Sequence, residues 1–307
     1  MGEVKQFYTM ADVIKILPTI DWLWPGWLPR GLITLCVGVP GIGKTSLGLA
    51  VVQSVIEAKK WPDDAPGPTV PQRIVWCDTE SRQAILASRI TAWGLPADQF
   101  VLPLDDSLGT LELNNPVHRK QLEQVLGCAQ PALLVVDSLS GAHQLDENSA
   151  REMKGLCQYL AELAKKYYIS ILAIHHVRKA HIKEDARIDL DRIRGSSMFR
   201  QLFVCIWVIQ EMGGELRLEV RKTNIGDIPD SLGLVLTECG VEFTEAAELR
   251  GDKLDQALSF LRSTLSAKPL AFENIEIVAK QNDISRRQLY KAKRILGAKT
   301  VRDGWVL

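Results

Sequence analysis

Net charge is what this chain lacks most. Its 37 lysines and arginines balance 37 aspartates and glutamates. No global field therefore steers it toward nucleic acid, and any such binding must come from local patches. Cys-x-x-Cys pairs are missing too. The six cysteines, Cys36, Cys77, Cys128, Cys157, Cys205 and Cys239, stand apart, most of them inside apolar runs. They read as small buried hydrophobes in a reducing cytoplasm. No signal-peptide pattern is present, and no apolar run is long enough to span a bilayer. The expectation is a cytoplasmic protein with no membrane partner. Hydrophobic residues make up 46% of 307 residues, which allows a sizeable core. The length suits one large domain with a smaller one.

One stretch organises the rest: Gly38-Val39-Pro40-Gly41-Ile42-Gly43-Lys44-Thr45, followed by Ser46. It has the spacing of a phosphate-binding loop. Glycines let backbone N–H groups curl round phosphates, Lys44 reaches the β and γ phosphates, and the Thr45 hydroxyl meets Mg²⁺. The apolar run 32–37 before it reads as a buried strand. The stretch 46–57 after it reads as a helix whose N-terminus points unpaired N–H groups at an anion.

Further strands follow the same pattern, apolar runs with chemistry at their carboxyl ends. Residues 73–77 lead into Asp78-Thr79-Glu80, where open α/β sheets bind ligands. Glu80 is a candidate catalytic residue, and Asp78 or Thr79 a candidate cap for a helix over 83–93. Residues 131–136 end at Asp137, a second Mg²⁺ anchor in a phosphate-loop protein. Residues 169–174 end in His175-His176. Adjacent residues on a strand face opposite ways, so the two are poor joint ligands for one metal, and one of them is a candidate contact for the γ-phosphate or water.

The remaining segments divide by composition. Residues 1–30 read as an N-terminal arm. Its tryptophan-rich stretch 22–31 either packs on a neighbouring subunit or plugs the sheet edge. Residues 178–194 are charge-dense, and Arg178, Lys179 and Lys183 suit a loop gripping a nucleic-acid backbone. Arg221-Lys222-Thr223-Asn224-Ile225-Gly226 reads as a basic tip after a strand, suited to an arginine finger or lysine piston reaching a neighbour's site. An ATPase core over 31–248 then gives way to a tail over 249–307. From residue 251 the tail holds 11 basic and 6 acidic residues, a net of +5. Its pattern is three helices (253–264, 272–281, 285–296) and a short ribbon (299–307), a winged-helix plan. Arg286, Arg287, Lys291 and Arg294 on the third helix suit a DNA groove, with protein docking as the alternative.

Taken in order, these pieces resemble the RecA-like ATPases. Within them the chain looks most similar to the plasmid and phage RepA-type hexameric helicases, an AAA_25-like domain. The resemblance covers roughly residues 15–245. It implies an α/β fold, a RecA-like P-loop core with a mostly parallel central sheet. It implies ATP and Mg²⁺ held by Lys44, Thr45 and Asp137, with Glu80 activating the attacking water and His176 sensing the γ-phosphate. It implies a homo-hexameric ring on single-stranded DNA, working with other replication proteins. A basic residue of the next subunit would complete the site, with Lys222, Arg221 and Arg194 as candidates. The competing reading is a nucleotide-gated DNA-binding ATPase, an initiator, loader or recombination protein without unwinding activity. A small-molecule kinase is a third.

Overall fold

The computed structural model describes residues 9–16, 20–103, 111–147, 149–177, 188, 190, 193, 196–212, 214–246, 253–265, 270–282, 284–301 and 304–306, with backbone alone at 196–197, 253–256 and 291. The chain divides into two compact units, Met1–Ala246 and Ala247–Leu307.

The larger unit opens with a helix, α1 (Met10–Ile16), and a small hairpin, β1 (Trp22–Trp24) with β2 (Leu28–Pro29). Its centre is built from β3 (Ile33–Gly38), α2 (Lys44–Ile56), β4 (Ile74–Asp78), α3 (Gln83–Ala92), β5 (Phe100–Val101), α4 (Pro116–Ala129), β6 (Leu133–Asp137), α5 (Ala150–Tyr167), β7 (Ser170–His176) and α6 (Ser196–Leu202). Then come β8 (Cys205–Met212), β9 (Glu215–Thr223), β10 (Leu232–Thr237) and β11 (Gly240–Glu245). The nine strands form one sheet in the order β11-β10-β9-β8-β3-β7-β6-β4-β5. Pairing is parallel from β8 to β5 and antiparallel from β8 to β11.

The central strands are apolar without alternation because both faces of the sheet are covered. Leu133 and Val135 of β6 join one core with α2, while Leu134 and Val136 join the other with α4 and α5. Successive side chains of a strand point to opposite faces, and β3, β4, β7 and β8 divide the same way. α4 starts at Asn115, whose side chain accepts from Val117 N–H, with Pro116 at its first position. α5 starts at Ser149, which accepts from Glu152 N–H.

The tryptophan-rich stretch folds onto its own sheet. Trp24 and Trp27 are fully buried. Trp24 stacks on Trp27 at 4.8 Å and on Trp61 at 5.0 Å, and both meet Trp207 of β8 edge-on at 5.6 Å. Trp207 Nε1 donates to Trp27 O at 3.0 Å, and Trp24 Nε1 to the Asp63 carboxylate at 3.1 Å. Of the two alternatives, packing within the chain is the one seen for this stretch, though on β8 inside the sheet and not at its edge, because stacked indoles bury a large apolar area against one another. Four cysteines are buried, whereas Cys128 and Cys239 are exposed.

The smaller unit contains α7 (Lys253–Leu265), α8 (Phe272–Gln281), α9 (Arg286–Leu296) and a ribbon of β12 (Lys299–Val301) with β13 (Gly304–Val306). Its own core gathers Leu261, Ile275, Leu289, Ala292 and Trp305, among others. α9 begins in a capping box: Ser285 Oγ accepts from Gln288 N–H, and the Gln288 side chain accepts from Ser285 N–H. It ends at Gly297, in the left-handed conformation that glycine tolerates best.

Candidate active site

Strand register brings the chemistry together. Gly38 pairs with His176, Asp78 with Asp137, and Asp137 with Ile174. The carboxyl ends of β3, β4, β6 and β7 therefore share one edge of the sheet. One cavity lies there, lined by Gly41, Gly43, Lys44, Thr45, Ser46, Asp78, Glu80, Asp137 and His176, with Trp76, Arg82, Ile85, Leu86, Arg89 and Leu236 completing its wall.

The loop over residues 38–43 must be glycine at the points where it bends or is approached closely. A Cβ on Gly38 would lie 2.7 Å from Ile209 O, and one on Gly43 would lie 2.6 Å from Leu236 Cδ1. Gly43 also sits at φ 101 and begins α2 with no side chain capping it. The first N–H groups of that helix face the cavity, an arrangement that suits an anion. Ile42 turns toward the core under the sheet, and Pro40 stays exposed. The structure therefore gathers Gly41, Gly43, Lys44, Thr45, Ser46 and Asp137 around the cavity, while Gly38, Pro40 and Ile42 shape the loop instead of lining it.

Lys44 is 5% exposed, and its ammonium donates to Gly38 O at 3.1 Å and Val39 O at 2.9 Å. Burial holds its pKa below the usual lysine value, opposed by the negative charges nearby. The Thr45 hydroxyl donates to Asp137 Oδ2 at 2.9 Å, joining the two expected Mg²⁺ contacts. Burial, then Thr45 in opposition, then the Glu80 and Asp78 charges act on Asp137, with a net rise to about 6. No cluster of three metal-type ligands occurs among the described residues. A hydroxyl with one carboxylate fits Mg²⁺, which keeps several waters and takes the rest of its shell from phosphates.

Glu80 is held in a net. Its Oε1 accepts from Ser138 Oγ at 2.7 Å and lies 3.5 Å from His176 Nε2. Its Oε2 pairs with Arg82 at 2.8 Å. Burial works to raise the Glu80 carboxyl, but Ser138, Arg82 and His176 together hold it below the usual value. The loop that carries it is fixed by Asp78, which accepts from Glu80 N–H at 3.1 Å and Arg82 N–H at 2.5 Å, and by Thr79 Oγ1 donating to Ser138 O at 2.6 Å. Asp78 thus braces the loop that carries Glu80, and neither it nor Thr79 caps α3, whose N-cap is Arg82. Of the two histidines, His176 reaches the site. His175 is buried on the opposite face, with Nδ1 3.0 Å from Ser140 Oγ and its ring against Phe199.

The proposed basic tip looks different in the structure. Arg221, Lys222 and Thr223 are still within β9, and the lysine turns inward. Its ammonium donates to the carbonyls of Arg200 at 2.5 Å and Phe203 at 2.6 Å, at the carboxyl end of α6. A cation satisfies helix-terminal carbonyls well. Arg221 is paired with buried Glu219 at 3.1 Å. These contacts correct the expectation of a projecting tip for Lys222 and Arg221. Arg194, Arg178, Lys179 and Lys183 lie outside the described residues, and so does the side chain of Lys291. Arg286, Arg287 and Arg294 sit exposed on α9.

Three contributors escaped the sequence reading. Ser138 directly follows Asp137, and its hydroxyl reaches Glu80 beyond the ends of β4 and β6. Arg82, the N-cap of α3, and Arg89 within it lie seven residues apart, and both line the cavity. That spacing was the available signal.

No curated protein matches the chain. Among solved structures, a KaiC-like protein from the hyperthermophilic archaeon Pyrococcus horikoshii OT3 aligns at a TM-score of 0.53 and 12% identity, over 74% of this chain and 99% of that one. The RadB recombinase aligns at a TM-score of 0.47 and 19% identity, over 69% of this chain and 90% of its own. The first likeness shows the fold, a RecA-like P-loop core on a mostly parallel sheet. The AAA_25 family model, an AAA domain, matches residues 3–181. That is more than half of the chain, which belongs to this family of ATPases.

Proposed function

We propose that the chain is an ATP-driven motor on single-stranded DNA, a ring-forming helicase of the replicative type from a plasmid, phage or other mobile element. One observation carries the hydrolytic part: Lys44, the Thr45–Asp137 pair, Glu80 and His176 face one cavity at the carboxyl ends of parallel strands. Lys44 and the N-terminus of α2 bind the β and γ phosphates. Thr45 and Asp137 hold Mg²⁺, which when bound neutralises charge on the phosphate oxygens. Glu80 orients the attacking water and takes its proton. His176, next to Glu80 at the end of β7, reports loss of the γ-phosphate to the segment that follows it. The tail over 247–307, with exposed arginines on α9, supplies a winged-helix contact to DNA.

A second reading is favoured by the inward Lys222 and paired Arg221. A chain whose two β9 finger candidates are tied inward suits a nucleotide-gated loader or initiator that assembles on DNA without unwinding it. Strand displacement on a forked duplex separates the two. ATP-dependent unwinding by the wild type, lost in Glu80→Gln, is the expected result. Assembly on the fork without unwinding overturns the motor.

A further inference from the structure

We propose that the α9 face of the C-terminal unit takes single-stranded nucleic acid, with the Tyr290 ring as a stacking platform between arginines. The proposal deepens the reading above. It rests on the assignment of this unit to nucleic acid, not on ATP hydrolysis.

Arg286, Tyr290 and Arg294 are four residues apart on α9, so they line up along one stripe, with Arg287 beside them. Arg286, Arg287 and Arg294 are exposed. Trp305 is buried and Phe260 and Phe272 are partly buried, whereas Tyr290 is 49% exposed. Its ring is fixed from below. It meets Trp305 of β13 edge-on at 5.2 Å and Phe272 of α8 at 5.4 Å. Trp305 is buried and anchored by paired backbone hydrogen bonds with Leu270. Cations brace the cluster: Lys293 lies 4.4 Å over Trp305 and donates to Thr300 Oγ1, and Arg286 lies 5.0 Å over Phe272. Glu276 of α8 lies 3.8 Å from Arg286.

A half-exposed, braced ring bordered by exposed guanidiniums is the arrangement that binds an unpaired strand. Bases stack on the aromatic face while cations track the backbone. Duplex DNA offers base edges in its groove and keeps the base faces stacked on each other. A fixed aromatic face at the centre of the cationic stripe has little to contact there. Charge complementarity argues for nucleic acid over a protein partner, since the segment from residue 251 onward carries 11 basic and 6 acidic residues.

The test is equilibrium binding of labelled oligothymidine, and of a duplex of equal length, to the full chain without nucleotide. Binding then does not depend on turnover, so a failed ATPase assay and a failed binding assay are distinguishable. The wild type should prefer the single strand. Tyr290→Ala should weaken that binding about tenfold with the salt slope unchanged. Tyr290→Phe should stay within about twofold, because stacking needs the ring and not the hydroxyl. Tyr290→Leu keeps apolar packing on Trp305 if the alanine variant melts early, and it should lose affinity as the alanine does. Arg294→Ala should lower the salt slope by about one. Tighter binding to duplex, equal loss in Phe and Ala variants, or an unchanged affinity in a folded Tyr290→Leu variant would overturn the proposal. An Arg294→Ala variant with unaltered binding would do so as well, and would point to protein docking.

Discussion

Glu80 sits within reach of Ser138, Arg82 and His176, contacts that hold its carboxyl below the usual value against the effect of burial and suit the proposed role of base. Replacing it with glutamine keeps the shape and the Ser138 contact but removes the proton acceptor. Glu80→Gln should bind ATP as the wild type does and release phosphate roughly a hundredfold more slowly or worse. Unchanged release would place the base elsewhere. Asp137 gives a pH test. Burial lifts its pKa from 3.8 to about 6, so the folded protein holds a proton that the unfolded chain has already lost. Between those values the folded state binds more protons, so stability falls as pH rises through the window and is flat above it. In metal-free protein, Asp137→Asn should melt higher than wild type at pH 8, and the gap should close toward pH 4. A gap independent of pH would show that burial does not hold the aspartate in its acid form.

Elements explain what those residues can reach. β6 was legible because an apolar run stops at one acid, and a buried strand tolerates a carboxylate only at its mouth. The phosphate loop was legible because its glycines are demanded by Ile209 O and Leu236 close by. Lys222 was not, because its orientation depends on carbonyls at the end of α6, set by packing far away in the chain. The two-residue β5 was too short to show any period, and the indole cluster unites residues from three separated segments. Lys222→Ala should cost about 1–3 kcal/mol in urea unfolding, as a residue satisfying buried carbonyls does. A side chain projecting toward a neighbour would cost almost nothing. Trp24→Ala should cost about 3–5 kcal/mol, since it removes the ring on which Trp27, Trp61 and Trp207 all pack. A loss under 1 kcal/mol would mean that the hairpin is not part of the core.

For the whole molecule, the sheet gathers Lys44, Thr45, Asp137, Glu80 and His176 at one cavity, and the proposed candidates for a neighbour's contribution are either tied inward or outside the described residues. Native mass measured with ATP and Mg²⁺ and again without them addresses this: the motor reading expects assembly toward six chains when both are present, and a chain that stays single argues against a shared site. Beneath every functional statement lies the claim that Lys44 meets a triphosphate at the carboxyl ends of β3, β4, β6 and β7. Phosphate release from Mg-ATP by the wild type and by Lys44→Ala tests it most directly. The account predicts turnover by the wild type and none above background in the variant, whereas near wild-type turnover by Lys44→Ala would contradict it.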